Sequence, residues 1–342
     1  MRKAAFVVVA AAAASMALVG CGSKECVKGV PETVATVNGE KISSSQYLEQ
    51  TSRRAGQQVL QNMLDQAVVL EWAKSEGVSP TDEQIKKQIE ILTREGIYAQ
   101  QVKIMGEEGI KTELTSMQAR INLAKKLLKI TDADLQQAYD QMKSRYVHGP
   151  RKQVALIINP DRSKIEAAEK AIKDGKTFDE AATEFTDSRF GPSGPITIWI
   201  DETQKGLPAD LVTAAKETKV NEVSKIFTIG QPGMPSQNGI MKVLQEQPKA
   251  DQKLADVKPE VEDTAAMQKS QMDPDFQKKL NERKKDAKIE INIAEFKSIA
   301  QSFKNPPEPS PMMMSPQQRP APKSAPAPAP KSAPAPAPAP KK

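Results

Sequence analysis

The apolar and polar residues near the start of the chain predict a hairpin followed by a long helix. Two β-prone runs, residues 34–37 and 41–42, flank Asn38-Gly39 in the stretch VATVNGEKIS. Asn-Gly suits a two-residue turn because both central residues need positive φ. The serines of residues 43–45 then offer N-cap hydroxyls. The apolar face of the helix recurs at spacings of three and four, at Leu60, Met63, Leu64, Ala67, Val68 and Trp72.

Helical periodicity continues to about residue 146. Capping-box sequences at Thr81 and Thr131 mark two further helix starts. Glycines punctuate residues 96–109, and this segment is expected to be less regular. Apolar residues in and around that segment are candidates for exposed contacts with unfolded chains: Ile97, Val102, Ile104, Met105 and Ile110.

Residues 150–247 alternate strand-like and helix-like patterns in the order β-α-α-β-α-β-β. Capping boxes at Ser163 and Thr177 begin two helices, and Gly175 between them is a C-cap. The remaining helix is predicted over residues 208–216, and the strands over residues 153–158, 196–200, 223–229 and 239–244.

The chain after this unit predicts charged helices and then a strand. Residues 257–285 form a charged helical segment that Asp273-Pro274 breaks in two. Residues 288–293, KIEINI, alternate polar and apolar side chains. We expect this closing strand to pair with the early strand, so that the first and last segments build one domain and the middle is an insertion.

Charge excludes a broad basic face for nucleic acid. The chain has 342 residues, enough for two domains, and a formal net charge of +6. Arg2 and Lys3 contribute two of these charges and the tail from residue 305 contributes four, so residues 21–304 are neutral. Aromatic residues make up only 4% of the chain, which is few for stacking on single strands. No nucleic-acid partner is expected.

Residues 1–20 have the pattern of an export signal peptide, with Arg2-Lys3 before an apolar run. Leu18-Val-Gly-Cys21 resembles a bacterial lipobox. This resemblance implies cleavage before Cys21 and acylation of its thiol, so that residues 21–33 become a lipidated linker. The protein is then exported and anchored to a bacterial membrane facing the periplasm, with the outer membrane favoured where one exists. The alternative is an ordinary secretory signal with an incidental cysteine.

Cysteine and histidine usage excludes several site chemistries. Cys26 is the only other cysteine and has no partner if Cys21 is acylated. His148 is the single histidine, so a His-rich metal site or a Ser-His-Asp hydrolase is disfavoured, and it is interpreted as a linker residue. No Gly-x-x-x-x-Gly-Lys-Ser/Thr motif is present. No metal or cofactor is therefore expected.

The end of the chain, residues 305–342, is low in complexity. It holds 14 of the 26 prolines, mostly in Pro-Ala repeats with lysine. Such a composition predicts an extended, disordered tail. Its positive charge is suited to weak contact with a cell wall or anionic surface, and a spacer without specific binding is the alternative.

The opening VATVNGEKIS and the order of elements over residues 34–303 resemble the parvulin-type foldases of bacterial envelopes, the SurA and PrsA group. Locally, GKTFDEAATEFTDS resembles the family's helix and following loop, and KGLPADLVTAAKETKVNEVSKIF resembles its next helix and strand. The resemblance implies an α+β fold. A discontinuous, mostly helical SurA-N-like chaperone domain, residues 34–148 and 249–304, would carry an inserted parvulin-like βααβαββ domain, residues 149–248.

The same resemblance locates the isomerase site residues. The family places two facing histidines on its first and last strands, with a Cys or Asp near the rotating bond. In this chain the first histidine position falls on Ala155 or Leu156, the second on Met241, and the Cys or Asp position on Ser188. Ser188 is the one candidate catalytic residue. The apolar peptide-binding pocket is retained, with Leu207, Leu211, Phe227 and Met241 as its candidates.

The residues therefore predict a chaperone that holds unfolded or newly exported polypeptides, in which the parvulin-like domain is a binding module and isomerase activity is weak or lost. Two alternatives stay open. One is an active prolyl isomerase with an atypical site that includes Ser188. The other is a structural envelope lipoprotein that docks to a single partner.

Overall fold

The computed structural model describes residues 30–189, 194–230 and 236–305. The chain divides into two compact units, Met1–Asp65 and Gln66–Lys342. Within the described part, no helix is both long and apolar enough to cross a membrane.

Several predicted features lie outside the described residues. These are the export segment of residues 1–20, the cysteines Cys21 and Cys26, and residues 306–342 of the tail. The export, acylation and tail predictions are therefore not tested by the structure.

The first unit begins with the predicted hairpin. Strand β1 (Thr33–Val37) pairs antiparallel with β2 (Glu40–Ser43). Asn38 and Gly39 take φ values of 51° and 89°, the positive values that this turn requires. Helix α1 (Ser44–Ser75) follows, and Ser43 caps it, because its Oγ accepts from the Gln46 backbone N–H at 3.3 Å.

The apolar face of α1 is buried only in its C-terminal half. Val68 and Trp72 are buried as expected, whereas Met63 is 59% exposed. Among the described residues, residues 44–65 of the helix share the first unit with residues 30–43, which are too few to cover a full helical face. Large apolar side chains of this unit therefore remain exposed: Val37, Ile42, Tyr47, Val59 and Met63.

Two helices near the start of the second unit begin at the capping boxes that the sequence predicts. Thr81 and Thr131 both form the predicted capping boxes, with Gln84 and Asp134. The largest helix of this group carries a kink at Gly106, where φ is 72° and ψ is 162°. The elements are α2 (Asp82–Arg94), α3 (Tyr98–Leu127), α4 (Asp132–Gln141), α5 (Lys143–Tyr146) and β3 (Val147–His148).

Residues 96–109 are more regular than predicted, because α3 already begins at Tyr98. The kink at Gly106 separates a more exposed first part of α3 from a more buried second part. Ile104 and Met105, before it, are exposed, whereas Ile110, after it, is buried against Ile85 and Leu114. The prediction that Ile110 is an exposed contact residue was therefore wrong.

A four-stranded antiparallel sheet forms the middle of the second unit, in the order β5-β4-β7-β6. Helices α6 and α7 cover one face, and α8 covers the other. This is the predicted βααβαββ order. The elements are β4 (Arg151–Asn159), α6 (Arg162–Lys173), α7 (Phe178–Phe185), β5 (Ile196–Asp201), α8 (Ala209–Glu217), β6 (Phe227–Ile229) and β7 (Gln237–Gln247).

The start of α6 differs from its predicted capping box. Asp161, not Ser163, is the N-cap, and its Oδ1 accepts from the Ser163 backbone N–H at 2.9 Å. Glu166 pairs instead with Arg162, four residues earlier, at 2.9 Å. The strand predicted over residues 223–229 is also shorter, with β6 limited to Phe227–Ile229 and an isolated bridge at Val223.

The segments that lead into and out of the four-stranded sheet lie next to each other. Strand β8 (Ala250–Asp251) pairs with β3, placing Ala250 opposite His148. Helix α9 (Leu254–Met272) then packs against α3 and α4, so helices from before and after the sheet share one core. The predicted α+β class with an inserted sheet is what the structure contains. The remaining elements are α10 (Pro274–Asp286), a 3-10 helix (Ala294–Phe296) and α11 (Ser298–Lys304).

The closing strand predicted over residues 288–293 is not formed. These residues have no secondary structure, and the ladder partner of β1 within the described residues is β2. Ile289 and Ile291 are half-buried while their polar neighbours are exposed. The alternation therefore reflects packing of one side of an extended segment, without the backbone ladder that defines a strand.

Candidate functional site

Leu156 and Met241 occupy the centre of the α8 side of the sheet. They are direct cross-strand partners on β4 and β7, and both are almost completely buried. Ala155, one residue earlier, points to the opposite face and packs with Ile165 and Phe178. Of the two candidate positions for the first histidine, Leu156 is therefore the one that faces Met241.

The structure brings the four predicted peptide-binding residues into one hydrophobic cluster with Leu156. Leu211 of α8, Phe227 of β6 and Met241 are buried, whereas Leu207 is half-buried at the start of α8. Three of these side chains therefore fill the core, and only Leu207 offers surface to another chain. The cluster consists of hydrocarbon and thioether groups, which cannot donate strong hydrogen bonds to a rotating amide.

Ser188 is exposed and lies in the turn after α7. The side chains on either side of it form an ion pair, in which Arg189 donates to Asp187 through Nε at 3.0 Å and through Nη2 at 2.8 Å. Hydrogen bonds from Arg189 lower the pKa of Asp187 to about 2. Within the described residues the Ser188 hydroxyl forms no hydrogen bond, and residues 190–193, which follow it, lie outside them. Among the described residues, the Ser188 hydroxyl therefore has no polar side-chain partner of the kind that an atypical site would need.

A buried serine that the sequence did not single out fixes the backbone at Met241. The Ser224 hydroxyl accepts from the Met241 backbone N–H at 3.0 Å and donates to the Lys225 carbonyl at 2.8 Å. The Ser224 backbone N–H also donates to the Met241 carbonyl at 2.8 Å. Ser224 lies within the family-like stretch NEVSKIF, but the sequence does not show that this residue will lie beside Met241 of β7 and bond its backbone.

A groove of about 600 Å³ runs between α8 and residues 222–228. Its polar walls carry the carboxylates of Asp210, Glu217 and Glu222 against the single ammonium of Lys225. None of these three carboxylates forms an ion pair with another described residue. The groove is therefore a locally acidic surface that sequence order alone did not reveal.

Two apolar side chains stand out on the helical side. Ile104 is 75% exposed and Met105 is 45% exposed, directly before the kink at Gly106. The predicted companions Ile97 and Val102 are half-buried. Ile104 and Met105 therefore form a small apolar surface, which we call the α3 patch.

Glutamines join the sheet to the end of α2. Gln153 Nε2 donates to the Glu95 carbonyl at 3.3 Å, and Gln247 Nε2 donates to the Arg94 carbonyl at 2.7 Å. Gly96 has a φ of +71°, and a Cβ at this position would lie 1.9 Å from Gln153 Oε1. A side chain at residue 96 would therefore displace the Gln153 amide from this junction.

Charged groups surround the same junction. Glu260 of α9 accepts from Arg94 Nη2 at 2.7 Å and from the Tyr146 hydroxyl at 3.0 Å. Burial, together with the Glu260 carboxylate, raises the pKa of Tyr146 well above its usual value. His148 lies in β3 with Nδ1 2.7 Å from the Gly149 carbonyl oxygen, at the entry to the sheet. Within the described residues, no group of three His, Cys, Asp or Glu side chains is arranged to hold a metal ion.

Comparison with known proteins gives the family of the chain. The SurA-like N-terminal domain matches residues 1–95, and the PPIC-type PPIASE domain matches residues 130–259. The foldase protein PrsA of Clostridium perfringens is 25% identical over 256 residues, covering 60% of this chain and 73% of that protein. The PrsA of Bacillus subtilis is 25% identical over 281 residues, covering 80% of this chain and 87% of that protein.

Among solved structures, the crystal structure of PrsA from Bacillus subtilis aligns with a TM-score of 0.31 and 22% identity, over 78% of this chain and 97% of that one. The matches define the class of protein as a SurA-like N-terminal domain combined with a PPIC-type domain. The chain therefore combines the two domain types of the parvulin-type, SurA/PrsA-like foldases, which supports the resemblance seen in its sequence.

Proposed function

We propose that the protein is an exported chaperone that holds unfolded polypeptides, and that its PPIC-type domain binds chains without efficiently isomerising prolyl bonds. The observation that carries this proposal is the buried cross-strand pair Leu156 and Met241, which stands where the sequence resemblance assigns the family's two histidines. Rotation about a peptide bond has a barrier of ~18–20 kcal/mol. Lowering it requires polar groups that favour the twisted amide over the planar one. Hydrocarbon and thioether groups supply no such preference.

Exposed apolar side chains support the holding role. The α3 patch presents Ile104 and Met105 to solvent, and the half-buried Leu207 adds an apolar contact beside α8. Shallow apolar contacts tolerate many sequences and compete with aggregation of the bound chain. The PrsA foldases to which the chain is similar favour the same role.

Export and anchoring complete the proposal. The apolar segment after Arg2-Lys3 and the lipobox-like sequence ending at Cys21 support secretion followed by acylation. Attachment through Cys21 would hold the chaperone at a membrane that newly exported polypeptides cross, with the outer membrane favoured in an organism that has one. Mass spectrometry of the mature protein tests this step, since acylation adds lipid mass to an N-terminal Cys21.

Two assays on the purified protein test the proposed activity. The first follows cis/trans exchange of a short Xaa-Pro peptide by NMR, with the protein in catalytic amount. The second follows light scattering from a denatured client with the protein in stoichiometric amount. We expect unchanged exchange and suppressed aggregation. Accelerated exchange would contradict the proposal. Neither effect, together with fixed co-purification of one partner, would favour a structural lipoprotein.

A working isomerase with an atypical site is the second candidate, and the PPIC-type match over residues 130–259 is the observation that favours it. The exposed Ser188 would then take part in the reaction. If exchange is accelerated, replacing Ser188 with alanine should reduce the rate, whereas Thr183→Ala, at an exposed position on α7, should not. Equal rates in the two variants would exclude Ser188 from the reaction.

A further inference from the structure

The acidic groove between α8 and residues 222–228 has no counter-charge within its own walls beyond Lys225. Residues 21–304 are neutral as a whole, so three unpaired carboxylates in one groove are a local excess. We propose that this groove binds the chain's own proline- and lysine-rich segment, residues 306–342, hereafter the tail segment. The proposal goes beyond chaperone activity and does not depend on it.

Charge complementarity identifies this occupant. The tail segment carries five positive side chains and one negative one, and every residue after Glu308 is neutral or positive. Opposite charges at a groove both attract a ligand and fix its position. The positive side chains are Arg319, Lys323, Lys331, Lys341 and Lys342.

The surface between the carboxylates suits a Pro-Ala backbone. The half-buried Val223 and Ile226 line the groove, and apolar side chains of this kind accept pyrrolidine rings. Repeated prolines lack the N–H group, so such a segment presents carbonyl oxygens that need donors. The exposed Thr213 hydroxyl and the Lys225 ammonium supply donors along the groove.

The tail segment is long enough to reach the groove. It contains 37 residues beyond the described part of the chain, and a proline-rich chain in the extended polyproline II form spans about 3.1 Å per residue, or up to roughly 115 Å in all. A compact unit of about 240 residues has a radius of gyration of about 18 Å. Tethering therefore gives the tail segment an effective concentration on the order of 1 mM at the groove.

Even weak affinity then produces substantial occupancy. With a dissociation constant of about 0.3 mM, the groove would be occupied about three quarters of the time, and a process that requires the empty groove would slow about fourfold. Any basic polypeptide that used this groove would first displace the tail segment.

Hydrogen exchange measured by mass spectrometry on the full chain tests the proposal. One variant replaces Lys323, Lys331, Lys341 and Lys342 with glutamine. A matched control replaces four exposed lysines elsewhere, namely Lys278, Lys279, Lys285 and Lys288. We expect residues 209–217 and 222–229 to exchange about fourfold faster in the first variant and at the wild-type rate in the control. Salt at 0.5 M should abolish the difference, because it screens exposed charges.

Charge reversal provides a second test with its own rescue. Asp210→Lys, Glu217→Lys and Glu222→Lys together should remove the protection, and replacing the four tail lysines with glutamate in the same chain should restore it. Equal exchange in wild type and tail variant would overturn the proposal. Protection that increases with protein concentration would assign the tail of a second copy. Protection seen only with an added basic peptide would show that the groove binds an external ligand. A concentration dependence or a need for added peptide would each overturn docking within one chain.

Discussion

Leu156 lies directly across from Met241 on the two central strands of the sheet, and both side chains are buried in one hydrophobic cluster. The sequence resemblance assigns the histidine pair of the parvulin family to these two positions. A hydrophobic pair can be packed by α8 without any buried polar group that needs a partner. The two central strands therefore contribute to a continuous hydrophobic core at this place.

Truncating Met241 should destabilise the protein strongly. Met241→Ala is expected to lower the free energy of unfolding by roughly 2–5 kcal/mol, since it removes buried contacts and leaves a cavity. Leu244→Ala, on the same strand but 37% exposed, should cost less than about 1 kcal/mol. Urea unfolding followed by circular dichroism measures both. Similar losses would show that Met241 contributes no more than a surface residue.

Gly96 should be far less tolerant of a side chain than Gly77. Both have positive φ, +71° and +70°, so an alanine costs about 1 kcal/mol of backbone strain at either position. Only at residue 96 does the new Cβ meet another group, the Gln153 side chain, whereas at Gly77 nothing lies within 4 Å. We expect thermal unfolding to report a loss of about 2–3 kcal/mol for Gly96→Ala and about 1 kcal/mol for Gly77→Ala. Adding Gln153→Ala should recover part of the larger loss.

The Asp134 carboxylate should make stability depend on acid pH. Burial opposes its ionisation, but hydrogen bonds from Lys269 and Thr131 outweigh burial and lower its pKa below the usual 3.8. The unfolded state then binds the proton more readily, so this stabilisation is present above pH 3.8 and is lost as the pH falls through the folded pKa.

Asp134→Asn should therefore cost about 1 kcal/mol at pH 7, because the pair with Lys269 is partly exposed. The difference from wild type should shrink steadily below pH 3.8. Asp132→Asn, in the first turn of the same helix, is the matched control. A difference that stays constant down to pH 2 would exclude the charge of Asp134 as its source.

The α3 patch should matter for client binding and not for folding. Replacing Ile104 and Met105 with serine is expected to reduce suppression of client aggregation several-fold, since the exposed apolar area is lost. The free energy of unfolding should change by less than about 0.5 kcal/mol, as is usual for exposed positions. Leu244→Ser removes a comparable exposed side chain from the sheet and should leave suppression intact. Equal effects of both changes would point to general surface hydrophobicity.

Features decided by contacts within a few residues were predictable from the sequence. The Asn38-Gly39 turn and the capping pair of Thr177 with Glu180 occur as predicted, because each needs only its own neighbours. The order of elements around the sheet was also predictable. The start of α6 lies two residues earlier than its predicted capping box, because Asp161 accepts from both the backbone N–H and the hydroxyl of Ser163.

Features decided by distant partners were not predictable. The alternating pattern of residues 288–293 indicated that one side of the segment is packed. It did not show whether another strand lies beside the segment to pair with it. The choice between Ala155 and Leu156 depends on which face of the sheet each takes, which only the pairing of β4 with β7 decides. The acidic groove combines α8 with residues that follow it in an irregular segment, so no periodic pattern marks it.

The short ladder in which His148 faces Ala250 holds together the two ends of the segment that contains the sheet. Adjacent strands lie only about 4.8 Å apart, so the two ends of the sheet-bearing segment meet almost at a point. A segment with adjoining ends can be removed, replaced or acquired as one cassette without displacing the helices on either side. Changes within this segment can then accumulate without altering the helical core that its two ends adjoin.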